Sequence, residues 1–99
     1  MSDKPASYQL SPLARGDLAD IWLHTFKTWS LEQADSYHND TIVACEALAA
    51  GRKNGRSVEI RDGYFKYLSG MHAIYYRAAP HGIDIIRILH QMMDAERHL

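Results

Sequence analysis

Ninety-nine residues with 46% hydrophobic and 23% charged side chains suffice for one domain with one modest core, which excludes a multidomain machine and a disordered chain. The single cysteine, Cys45, rules out an internal disulfide and fits a reducing cytoplasm. No apolar run approaches the roughly 20 residues of a membrane helix, and MSDKPASYQ lacks the apolar stretch of a secretory signal. The net charge of −1 is uneven, because residues 1–50 set Lys4, Arg15 and Lys27 against seven acids (−4), whereas residues 51–99 sum to +3. A basic C-terminal half points toward an acidic partner, although a dipole over solvated faces reads as well and nucleic-acid binding does not follow.

Residues 1–6 read as a lead-in, with the frayed end expected over 1–7, and Ser7 to Leu10 alternates as a short strand. Ser11-Pro12 then starts a helix, since serine caps free amides and proline at the first helical position loses no hydrogen bond. Ala14, Leu18, Ile21, Trp22, Thr25 and Trp29 recur at three and four, marking an inner face to about Thr28, with both tryptophans read as core. Ser30 and Gln33 form a capping-box pattern for a second helix with Ala34, Tyr37, Thr41, Ala44 or Cys45, and Leu48 inside. Gly51 ends it as a C-cap. With almost nothing between them, the two helices fold back as a hairpin.

Gly51 to Gly63 is a charged connection in which Val58 and Ile60 are expected to tack onto the core. Tyr64 to Leu68 and His72 to Arg77 have the aromatic and β-branched make-up of strands, separated by a Ser69-Gly70 turn. Ala78 to Gly82 makes a second turn around Pro80. Ile83, Ile85, Ile86, Ile88 and Leu89 then form a strand apolar along its length, as suits a central position. Gln91 to Leu99 reads as a tail, frayed over 95–99. The predicted fold is α+β: an N-terminal strand and a helical hairpin packed on a mostly antiparallel sheet ending in a three-stranded meander. Where the first strand docks does not follow from local pattern.

The six histidines lack the spacing of a metal site, and no cofactor signature occurs. Cys45, on the inner helical face, reads as a structural thiol. The aromatics Tyr64, Phe65, Tyr67, Tyr75 and Tyr76 have the make-up of a base-stacking face, though a division between core and helix cover is the simpler reading. A polar group of Arg61, Arg77, Arg87 and His90, with Arg56, has the chemistry for acid–base work on a phosphodiester; ion pairs with Asp84, Glu59 or Asp62 explain it more simply.

SPLARGDLADIW with TWSLEQA, the SGMHAIYYR strand pair and RILHQMMDAERHL together resemble the ParE toxins of the RelE/ParE superfamily of type II toxin–antitoxin modules, over residues 8–99. The resemblance implies the same order of strand, helical hairpin and meander. In the RelE branch it implies ribosome-dependent mRNA cleavage by basic residues and a histidine–tyrosine pair, which here would draw on His90, Arg77 and Arg61. Gln91 stands where that tyrosine would be, a departure that fits the ParE branch. That branch resembles a non-enzymatic poison of DNA gyrase, acting on its A subunit and neutralised by a ParD-like antitoxin. No cofactor, no membrane and no direct nucleic-acid binding without the antitoxin are expected, and an inactive antitoxin-binding relative is a third possibility. For the antitoxin, Tyr64, Phe65 and Tyr67 are the expected anchors with Arg56 and Arg61 as charge partners. The tail residues Met92, Met93, Arg97, His98 and Leu99 are the expected target contacts.

Overall fold

In the computed structural model, which describes residues 6–99, strand β1 (Ser7–Leu10) runs directly into the hairpin of helices α1 (Pro12–Thr28) and α2 (Leu31–Ala49). Strands β2 (Arg56–Ser57), β3 (Tyr64–Ser69), β4 (His72–Ala79) and β5 (Gly82–His90) follow, and a short helix α3 (Ala95–His98) closes the chain. The sheet order is β1-β5-β4-β3-β2. The predicted α+β architecture and meander are therefore present, with β3, β4 and β5 antiparallel. Strand β1 lies parallel to β5, Tyr8 opposite Ile83 and Leu10 opposite Ile85. That places β5 between two partners and accounts for its apolar run. The 1–6 lead-in lies, up to residue 5, outside the described residues. Ser7 is not frayed, as its N–H donates to the His81 carbonyl at 2.8 Å.

Both helix starts form as their residues dictate. The Ser11 hydroxyl oxygen accepts the Ala14 N–H and donates to the Ile86 carbonyl at 2.7 Å, and Ser30 accepts the Gln33 N–H. Gly51 takes φ +78° after the last helical turn, and Arg52 N–H closes on the Ala47 carbonyl at 2.9 Å. Ala34, Thr41, Cys45 and Leu48 are buried on α2, and burial pushes the Cys45 thiol up to about 12, which makes it inert. The tryptophans correct the expected core. Helix α1 ends at Thr28, so Trp29, with φ −122° and ψ −86°, leaves the helical period and is 76% exposed. Trp22 is half-buried between the helices, its Nε1–H donating to Asp35 Oδ1 at 2.9 Å, and it stacks on Phe26.

The sheet buries both of its faces. Toward the helices lie Ile74, Tyr76, Ile83, Ile85 and Ile88 with Ala14, Leu18, Cys45 and Leu48. On the far face, Ala73, Tyr75 and Leu89 are covered by Val58, Ala95 and Leu99. The expectation of fraying over 95–99 is corrected by this contact, since strand alternation leaves three apolar side chains facing away from the helices and the tail shields them. The charged connection contains a strand that its composition did not announce. Arg56 and Ser57 pair with Lys66 and Phe65. Val58 tacks to the core as expected, whereas Ile60 is exposed.

Where β1 stops, α1 takes over the edge of β5. Asp17 receives two hydrogen bonds from Arg87, Nε and Nη2 each at 2.8 Å, and the Ile88 backbone N–H at 3.0 Å. Arg87 therefore belongs to the scaffold rather than to a free basic group. Its guanidinium pKa is raised, chiefly by the hydrogen bonds it donates to Asp17.

Candidate functional site

The basic loop and β3 meet at the sheet edge. Here a cavity of about 500 Å³ is lined by Asn54, Gly55, Arg56, Lys66, Tyr67 and Leu68. Gly55 is required, because a Cβ there would lie 2.6 Å from the Lys66 carbonyl oxygen, and its N–H donates to the Tyr76 hydroxyl at 2.7 Å. Alternation along β3 divides the three expected aromatic anchors. Phe65 and Tyr67 pack on the helix-side core, Phe65 stacking on Tyr76 at 5.5 Å. Tyr64 is half-buried, with the Arg61 guanidinium 5.4 Å from its ring centroid. Arg56 is exposed beside them. These five residues therefore form one basic edge with partly covered aromatics, rather than an open aromatic face.

His90, Arg77 and Arg61 are not brought together. Arg77 faces Tyr64 and Asp84, whereas His90 faces His72 at the other end of β4. Five strand steps separate those two positions, about 17 Å at the usual rise. Arg77 pairs with Asp84 at 3.5 Å, the simpler role named for it. Gln91 donates from Nε2 to the Gly70 carbonyl at 2.8 Å and so ties down the β3–β4 turn.

His90 instead joins a cluster that the sequence did not reveal. Its ring lies edge-to-face with His72 at 5.4 Å, and the Tyr37 hydroxyl is 2.6 Å from His72 Nδ1. The same hydroxyl accepts the Met71 N–H. Tyr37 and His72 are 35 positions apart, and the one local hint was a histidine at the start of a strand after a glycine turn. Burial, and then the neighbouring imidazoles of His90 and His24, hold the His72 pKa below the ordinary value. The sign of the linked stability effect follows. Near and below pH 6.5 the unfolded chain protonates this residue before the native chain does, so stability is full above that pH and falls on acidification. Urea melts of wild type and His72→Gln across this range should show a shallower acid loss in the variant.

The tail divides into anchored and free parts. Leu99 packs on the far sheet face and the His98 carbonyl accepts Arg87 Nη1–H at 3.3 Å. Met92 is 86% exposed, Met93 is also exposed, and among the described residues Arg97 forms an ion pair only with Asp94, at 3.6 Å. Among the described residues no helix is long and apolar enough to cross a membrane.

The model of a family described as "ParE toxin of type II toxin-antitoxin system, parDE" matches residues 8–95. The chain is 42% identical over 94 residues to Toxin ParE1 of Mycobacterium tuberculosis, covering 93% of this chain and 96% of that one. It is 39% identical over 93 residues to Toxin ParE1 of Caulobacter vibrioides, with the same coverage of each chain. Among solved structures, a chain of the chromosomal ParDE TA system from P. aeruginosa superposes with a TM-score of 0.75. At 22% identity, covering 89% of this chain and 98% of that one, it is a likeness of fold.

Proposed function

The chain belongs to the ParE toxin family of type II toxin–antitoxin systems, and from that membership we propose that it poisons DNA gyrase, at the A subunit, by protein–protein contact in the cytoplasm. The observation that carries this reading is likeness along nearly the whole chain to proteins named Toxin ParE1. Geometry supports it over mRNA cleavage. Arg77 and Arg61 lie at the opposite end of the sheet from His90, and Gln91 is engaged in holding a turn.

A ParD-like antitoxin is the neutralising partner in this reading. The sheet edge suits its acidic positions, since Arg56 and Arg61 stand beside Tyr64, and Phe65 and Tyr67 offer their uncovered edges. Target contact falls to the tail, where Met92, Met93 and Arg97 are exposed while His98 and Leu99 hold the segment in place. Two assays run side by side test the proposal. Purified toxin should abolish supercoiling by gyrase, be reversed by antitoxin, and leave mRNA on translating ribosomes intact. Cleaved mRNA with unaffected gyrase would overturn it in favour of a ribosome-dependent endoribonuclease. Inactivity in both assays, with antitoxin still bound, would overturn it in favour of an inactive relative.

A further inference from the structure

The toxin reading leaves the histidine cluster unused. The Tyr37 hydroxyl already accepts the Met71 N–H at 2.9 Å, so its own proton goes either to His72 Nδ1 at 2.6 Å or to the Ser69 carbonyl at 3.4 Å. The much shorter contact favours His72 Nδ1 as the acceptor. An accepting Nδ1 leaves the proton of a neutral imidazole on Nε2. At His90 the Met92 N–H donates to Nδ1 at 3.1 Å, which selects the same tautomer. Two adjacent rings therefore each keep an Nε2–H donor, and no hydrogen bond among the described residues uses either one.

Both rings line a cavity of about 430 Å³ whose wall also carries Gln33, Trp29 and Met71. Trp29 and Met71 are exposed at 76% and 61%. Two adjacent donors beside an apolar wall suit a ligand with a charged head and an apolar body. No group of three His, Cys, Asp or Glu side chains among the described residues is arranged to hold a metal ion. We propose that this cavity binds a small oxyanion, a carboxylate or phosphate head, through the Nε2–H groups of His72 and His90, with the apolar body of the ligand against Trp29 and Met71. This site is separate from the gyrase reading and does not depend on it.

The surrounding charges set the pH dependence. From α1, His24 and Asp20 face the rings across a smaller adjoining void, while Asp17 is satisfied by Arg87. From α2 comes Tyr37, whose own pKa burial raises, with Asp40 nearby. Burial, and then repulsion from the imidazoles of His90 and His24, lowers the His72 pKa and so favours its neutral ring. A bound anion offsets that repulsion, so affinity should rise as pH falls toward the histidine range.

Ring ¹⁵N spectra of the full chain, titrated at constant ionic strength with inorganic phosphate and separately with acetate, test the site. Before any anion is added, His72 and His90 should both show Nε2–H tautomers. Saturable shifts should then appear at these two rings, tighter at lower pH. Tyr37→Phe keeps the ring but releases the tautomer and should weaken binding about tenfold, the value of one hydrogen bond. His90→Leu should abolish saturation at His72. Saturation by phosphate alone points to a phosphorylated ligand and saturation by acetate alone to a carboxylate; either result sustains the site. An Nδ1–H tautomer at either ring overturns the proposal. So do shifts linear in concentration and shared with His38, His81 and His98, the signature of an adventitious ion only. Should His90→Leu fail to fold, the wild-type tautomers and Tyr37→Phe decide the matter.

Discussion

Replacing Asp17 by alanine is expected to cost the domain about 3 kcal/mol, the lower end of what breaking a buried ion pair costs. Three hydrogen bonds end on this carboxylate, two from Arg87 and one from the Ile88 N–H. The two side chains are only 14% and 13% exposed, so water compensates little for their loss. Alanine leaves a guanidinium without its carboxylate and a backbone N–H unpaired at the edge of β5, a strand with buried side chains on both sheet faces. For a domain of this length the melting temperature should fall by about 12–24 °C. The double variant Asp17→Leu with Arg87→Met should recover much of this, because no charge is then stranded, but not all, because the Ile88 N–H remains orphaned. Arg77→Ala serves as contrast. Its partner lies at 3.5 Å and its side chain is 51% exposed, so its loss should cost well under about 1 kcal/mol. Equal costs for the Asp17 and Arg77 variants in urea melts would refute the assignment.

The elements that could be read from sequence are those whose causes are local. Ser11-Pro12 and Ser30 announce helix starts because capping acts within one turn, and Gly70 and Gly82 separate strands of aromatic and β-branched residues. What escaped depends on partners far along the chain. Strand β1 pairs with a strand some 75 positions later, and β2 exists only because Arg56 and Ser57 fall opposite Lys66 and Phe65. The stripe count carried Trp29 inward because periodicity does not report where a helix stops. The proposed antitoxin edge was legible as a set of residue types, yet the division of Phe65 and Tyr67 from Tyr64 depends on which sheet face the helices cover. His90 was singled out beside arginines, whereas its neighbours are His72 and Tyr37, placed by the sheet register and the hairpin.

The tail helps to cover the sheet face turned away from the helices, which makes it consequential for both stability and function. Truncation after Asp94 is expected to cost about 2 kcal/mol, from the partly buried Leu99 and Ala95 and one charge-assisted hydrogen bond, less the entropy of ordering a short helix. Ala73, Tyr75 and Leu89, now 1%, 4% and 2% exposed, would then face water, and the truncated chain should bind a hydrophobic dye in its native state. Leu99→Ala should show about half of the stability loss with less dye binding. The functional consequence is separable, because the helix-side core and the basic edge at Arg56 and Arg61 do not involve these residues. At a temperature where the truncated domain remains folded, it should still bind antitoxin, while gyrase inhibition should weaken because Arg97, His98 and Leu99 are gone. Undiminished inhibition by a folded, truncated domain would remove the tail from the target surface and leave it as the cover of the far sheet face. Loss of antitoxin binding as well would show that the two faces are not independent, and would move the antitoxin site toward the tail.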